Sequence, residues 1–223
     1  MKCILFGGSG EVGGAVARAL VESEACSRLT LLGRREADTV PDDPKVEQVV
    51  VDTGAGDFER LVTEAAAGHD VGISCVGIGS GTYKMSEDEL AAVEVGLVGG
   101  FARGCKKAGI EIFELLTAVG VKDSWADSRI TALRVIGRKH RTVVEVGFEK
   151  LAIFRPGTIV GNAHTPRWVT PFTGLIPDAL GWGNIRQEEL AQAFVEHLVE
   201  RADTQREPVV FYGNKEMKQL IRE

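Results

Sequence analysis

Three glycines near the amino terminus, Gly7, Gly10 and Gly13, stand in the spacing G-x-x-G-x-x-G, with Gly8, Ser9, Glu11 and Val12 between them. The apolar run Cys3-Ile4-Leu5-Phe6 leads into them, and an alanine-rich helical pattern (Ala15, Val16, Ala17, Ala19, Leu20) leads out. Strand, tight turn and helix in that order suit the binding of a pyrophosphate. One glycine permits a backbone conformation that a Cβ obstructs, a second lets the chain approach the phosphates, and a third lets helix and strand pack closely. The helix then directs its unpaired N–H groups and positive dipole end at the anion. No Gly-Lys-Ser/Thr follows, so the motif is not a P-loop, and its place between strand and helix makes it far more specific than a glycine triplet alone.

A second chemical feature lies one strand further on. The run Arg28-Leu29-Thr30-Leu31-Leu32 ends at Gly33-Arg34-Arg35, near the position where a dinucleotide fold meets the adenosine ribose. A carboxylate there accepts from a 2′-hydroxyl and repels a 2′-phosphate, whereas guanidinium groups attract the phosphate. Gly33, Arg34 and Arg35 therefore point to NADP(H), with Glu36 and Asp38 offsetting part of the positive field. Asp52, at the end of a third strand, is placed to reach an adenine edge, and Cys75, Val76 and Gly77, at the end of a fourth, flank the ligand crevice. Cys3, Cys26, Cys75 and Cys105 show no C-x-x-C spacing and read as buried free thiols; no metal site is expected. Arg134, Arg138 and Arg141 form a stripe that reads as a solvated basic face.

The elements that must position these groups alternate along the chain. Strands are expected at 2–6, 28–32, 46–52, 70–77, 111–116 and 151–157, with a short one at 208–212. Helices are expected after the glycine loop and at 57–68, 86–108, 128–147 and 187–201, with a small one at the end. Ser86-Glu87-Asp88-Glu89 is a capping box opening the third of these, whose apolar face is Leu90, Val93, Leu97, Val98 and Phe101. Gly96, Gly99, Gly100 and Gly104 interrupt it, which implies close packing within the monomer or, less ordinarily, against a partner's helix. Alternation of this kind predicts an α/β fold, a doubly wound parallel sheet with a small C-terminal elaboration. The 223 residues suit a single domain, 1–223, in which 158–223 supply a long aromatic substrate-side loop (158–185) and the C-terminal elements.

Composition narrows the function classes. Hydrophobic residues are 44% and charged residues 26%, ordinary for a globular protein, and the net charge of −6 argues against nucleic acid as a partner. No apolar run reaches the ~18 residues of a membrane span. The first strand begins at once, which leads to the expectation of a cytosolic protein without a signal peptide.

Taken together, the glycine loop, Leu31-Leu32-Gly33-Arg34-Arg35, Val50-Val51-Asp52 and Phe154-Arg155-Pro156-Gly157 resemble the atypical short-chain dehydrogenase/reductase superfamily, most closely the branch of the Tat-interacting oxidoreductases. The resemblance covers essentially the whole chain. It implies a Rossmann fold binding NADP(H), with contacts at Gly7 to Gly13, Arg34, Arg35, Asp52, Cys75 to Gly77, Thr117 and the turn Pro156-Gly157-Thr158. It also implies a Tyr-x-x-x-Lys pair on the helix before the sixth strand, the tyrosine moving a proton and the lysine lowering its pKa and holding the nicotinamide ribose, assisted by a serine at the end of the fifth strand.

This chain departs from that pattern. Counting back from Phe154 places the tyrosine slot at Ala132 and the lysine slot at Ile136, and the two tyrosines are elsewhere, at Tyr83 and Tyr212. Lys139 lies on the helix without a partner, and the serine slot falls at Thr117 or Ala118. Three readings follow. The chain is an NADP(H)-binding sensor, scaffold or subunit without standard reductase chemistry; or an NADPH-dependent oxidoreductase on a small carbonyl substrate, with Thr117 or His164 as substitute catalytic groups; or an interaction protein that has lost the cofactor, against which the intact glycine loop argues. The partner is a small-molecule substrate or another protein, and the chain is a monomer or homodimer.

Overall fold

The computed structural model describes residues 1–54, 56–77, 85–161 and 183–222. The strands are β1 (Lys2–Phe6), β2 (Arg28–Gly33), β3 (Val46–Val50), β4 (Val71–Ser74), β5 (Ile112–Leu116), β6 (Lys150–Phe154), β7 (Thr158–Val160), β8 (Asn184–Arg186) and β9 (Val209–Tyr212). Seven of them form one parallel sheet in the order β3-β2-β1-β4-β5-β6-β9. This is a Rossmann-type doubly wound sheet. Its strand order reverses between β1 and β4, and the crevice at their carboxyl ends is where such sheets bind ligands. The central strands are apolar along their length because helices cover both faces, so β1 and β4 bury residues in succession and do not alternate.

The helices are α1 (Glu11–Glu22), α2 (Phe58–Ala65), α3 (Glu87–Ala91), α4 (Val98–Lys107), α5 (Thr131–Glu145), α6 (Gln187–Glu196) and α7 (Asn214–Leu220). One core layer joins Val16 and Leu20 of α1 to Phe194 of α6 and Met217 of α7 over Leu5, Ile73 and Phe154. The opposite layer joins α2, α4 and α5 over Ile4, Phe113 and Ile153. Phe6, Phe101, Phe113 and Phe148 form a chain of rings through it, with centroids 4.5 to 5.8 Å apart.

Three features differ from the expected pattern. The helix expected over 86–108 is broken by a π-helical turn at Ala92–Leu97, which turns Glu94 inward and leaves Val93 only half-buried. The β-branched pair Val93 and Val95 with Gly96 between them and α4 weakens the regular helix there. The segment expected to be irregular over 158–185 contributes at its two ends the strands β7 and β8, paired in parallel. Residues 162–182, His164 among them, and Tyr83 lie outside the described residues. The arginine stripe is paired as well as solvated: Arg134 donates to Glu87 through Nε at 2.8 Å and Arg141 to Asp127 at 3.0 Å, while Arg138 and Arg141 keep much of their side chains in water.

The glycines of α4 pack inside the monomer. A Cβ on Gly104 meets Val62 of α2 at 2.6 Å, and one on Gly99 meets Thr142 of α5 at 2.7 Å. All four cysteines are free and buried, as their spacing led us to expect.

Candidate cofactor and active site

The glycine loop closes on itself. Gly7 leaves β1 with φ +102°, and a Cβ there stands 3.0 Å from the backbone of Cys75 and Val76. A Cβ on Gly13 falls 2.1 Å from the carbonyl oxygen of Gly7, so helix and strand touch backbone to backbone. Gly10 donates its N–H to Gly7 at 3.0 Å and stands as the N-cap of α1 with no side chain to cap the first turn. The N–H groups of a helix's first turn are donors open to an anion, and the backbone leaves no room for a side chain at Gly7 or Gly13. Gly8 is buried against Leu5 and Leu31, while Ser9, Glu11 and Val12 are half-buried. Gln187, buried at the start of α6, donates to the carbonyl of Glu11 at 3.1 Å and ties the loop to the other end of the chain.

At the end of β2, Gly33 accepts from Val51 at 2.9 Å, and Arg34 and Arg35 extend into solvent. Gln48 of β3 accepts from the N–H of Ala37 at 2.7 Å, which holds the arginine segment beside its neighbouring strand. Asp52 is exposed, and its Oδ1 accepts from Gly54 at 2.9 Å, so the carboxylate is fixed by its own turn. Cys75 is buried between Gly7 and the end of β4; burial, with the Glu114 carboxyl nearby, pushes its thiol far up, and it stays neutral.

On the other half of the sheet, the segment that follows β5 meets the exit of β6. Thr117 donates its N–H to Phe154 at 2.8 Å and its hydroxyl to the same carbonyl at 3.3 Å, and Val119 donates to Pro156 at 2.9 Å. Gly157 donates to Asn214 Oδ1 at 3.0 Å, and Asn214 Nδ2 donates to Gly183 at 2.6 Å. The fully buried Asn214 thus clamps the exit of β6 to the start of β8, and Thr158 opens β7. Gln48, Gln187 and Asn214 escaped sequence reading because a lone amide carries no local signal. The pattern of an amide just inside a terminal helix, at 187 and 214, is the only trace of them.

The slots for the tyrosine and lysine are occupied by Ala132 and Ile136, both half-buried on α5. Tyr212 is engaged elsewhere, stacked on Phe154 at 5.2 Å and edge-on to His197 at 5.2 Å. Its phenol is raised by burial. The expectation that Lys139 has no partner is corrected. It is buried, and its Nζ donates to the carbonyl of Val76 at 2.7 Å and to Glu94 Oε2 at 2.9 Å. The sequence hid this because the partner, Glu94, is turned inward only by the π-helical turn.

A family model described as NAD(P)H-binding matches residues 7–201. The rat protein HTATIP2 is 32% identical over 187 residues, 80% of this chain and 73% of its own length. The FMP52 protein of Debaryomyces hansenii is 25% identical over 238 residues, spanning 100% of this chain and 99% of its own. Among solved structures, the oxidoreductase ylbE from Lactococcus lactis superposes with a TM-score of 0.67 at 18% identity, covering 100% of this chain and 98% of its own. FMP52 is named as mitochondrial, here and in other yeasts, and this overturns the expectation of cytosolic residence. A chain that opens on its first strand does not by that fact stay in the cytosol. The glycine cradle, the reversal of strand order above it and the extent of these matches lead to one conclusion: this chain belongs to the NAD(P)H-binding family of short-chain-dehydrogenase-like proteins, as a homologue of HTATIP2.

Proposed function

We propose that this chain binds NADP(H) in preference to NAD(H) and works as a cofactor-dependent sensor, scaffold or subunit, without the family's usual proton-transfer pair. The observation that carries the reading is the pair Ala132 and Ile136 on α5, where neither side chain can move a proton or hold a ribose hydroxyl. A phenol at its ordinary pKa of ~10 needs a nearby cation to act near neutral pH, and here the phenol itself is missing from that slot. The Gly7–Gly13 cradle is the place for the pyrophosphate, with Cys75 to Gly77, Thr117 and Pro156 to Thr158 around the remainder. Arg34 and Arg35 favour a 2′-phosphate by charge, and Asp52 stands at the adenine end. When bound, the cofactor would supply or accept a hydride. Residues 1–223 act in this reading as one domain, with 158–223 on the substrate side.

A second reading, an NADPH-dependent reductase of a small carbonyl with substitute groups, is favoured by one observation. A buried ammonium, that of Lys139, lies beside the end of β4. Thr117 and His164 are its candidate proton carriers. Titration with NADPH and NADH, followed by NADPH oxidation across an aldehyde and ketone panel, separates the two. Tight NADPH binding without turnover is expected. Turnover abolished by Thr117→Ala or His164→Ala establishes the second reading, and absence of nucleotide binding removes both.

A further inference from the structure

The pair Lys139–Glu94 is buried, with side chains 4% and 8% exposed, and belongs to none of the expected site residues. Two charges are retained in such a place only when each is well partnered, so their arrangement is specific. Lys139 sits three residues beyond the empty lysine slot at Ile136. α5 joins two parallel strands, so it runs back from the carboxyl end of the sheet, and side chains lean toward a helix's N-terminus. Three residues of helix are roughly 4.5 Å, within the span of a lysine side chain. The ammonium therefore reaches back up to the carbonyl of Val76, two residues past the end of β4.

Glu94 completes the grip from the other side. The π-helical turn delivers its carboxylate to the ammonium, and its Oε1 lies 3.7 Å from the position of a Cβ on Gly77. Val76 in turn stands against Gly7, with its Cγ2 3.1 Å from the Cβ position there. Turns of this kind recur at functional sites. In a doubly wound sheet the β1–β3 half takes the adenosine end of a dinucleotide and the β4–β6 half the other end. Both charges are carried by connections within the second half.

We infer that Lys139 and Glu94 are positioning residues that anchor Val76–Gly77 and thereby set the nicotinamide half of the cofactor site. The inference rests on the NADP(H) reading above, and its test separates the two. NADPH and 2′,5′-ADP, which carries the adenosine end alone, are titrated calorimetrically into the wild-type chain, Lys139→Met and Lys139→Met/Glu94→Gln. The double variant removes both charges of the pair, so it carries the test if the single variant fails to fold. The expected result is a loss of roughly tenfold or more in NADPH affinity, the scale of one charged hydrogen bond, with 2′,5′-ADP changed by less than about twofold. Equal weakening of both nucleotides would show a general structural role and overturn the inference, as would unchanged NADPH binding. A wild-type chain that binds neither nucleotide overturns the cofactor reading, and the anchor with it.

Discussion

Replacing Lys139 by methionine leaves the Glu94 carboxylate buried without its ammonium and removes the bond to Val76. Removing one partner of a buried pair is expected to cost about 3–5 kcal/mol, because the remaining charge keeps its desolvation penalty. For a chain of this length each kcal/mol lowers the melting temperature by roughly 2–4 °C, so Lys139→Met should melt roughly 6–20 °C below the wild type. The double variant Lys139→Met/Glu94→Gln removes both charges and should recover most of that loss, since a buried pair replaced by neutral groups of similar volume is often nearly neutral. Arg60–Glu64 serves as an internal control: it is shorter, at 2.6 Å, yet its side chains are 57% and 61% exposed. Its removal by Arg60→Ala, which also removes the exposed pair with Asp57, is expected to leave stability nearly unchanged, because water screens both pairs. Urea unfolding followed by circular dichroism, at constant m, measures these four proteins and the single variant Glu94→Gln, which completes the cycle. The reasoning is refuted if Lys139→Met loses less than about 1 kcal/mol, or if the double variant shows the sum of the single losses, meaning no coupling.

Other consequences are as direct. Arg34→Ala should weaken NADPH by roughly ten- to a hundredfold and NADH little, measured by fluorescence titration; equal weakening would remove the charge argument for a 2′-phosphate. Gly13→Ala places a Cβ 2.1 Å from Gly7 O. That should cost about 1–3 kcal/mol in thermal melts and weaken nucleotide binding; unchanged affinity would show that the cradle tolerates opening. Glu114 is buried beside His197, its Oε1 2.7 Å from Nδ1, and burial raises its carboxyl to about 7, which His197 only partly offsets. A raised carboxyl pKa means that the folded state holds the proton more tightly. Its contribution is therefore fully present below the unfolded value of ~4.3 and lost as pH rises through about 7. Glu114→Gln should flatten the fall in melting temperature between those pH values, and an unaltered slope would reject the assignment.

What the sequence made legible, and what it left hidden, follows from the range of the interactions. The glycine loop could be read because its contacts are local: Gly7, Gly10 and Gly13 touch one another across a single turn. The strands could be read because parallel strands buried on both faces are continuous apolar runs. The groups that hold the crevice together are joined across far greater separations, 45 residues between Lys139 and Glu94, 57 between Gly157 and Asn214, and 176 between Glu11 and Gln187. No spacing rule reaches that far. The expected apolar face of the helix at 86–108 assigned burial to Val93, and a one-residue change in helical winding gave the buried place to Glu94. That single change supplies a counter-ion to a lysine that stands one turn away from its family slot. The loss of Tyr-x-x-x-Lys therefore does not empty this half of the sheet of charge. A buried ammonium stands one helical turn from that slot, at Lys139, and holds the backbone of Val76. In the role proposed above, such a lysine shapes the binding site while the slot for a proton-transferring phenol holds Ala132.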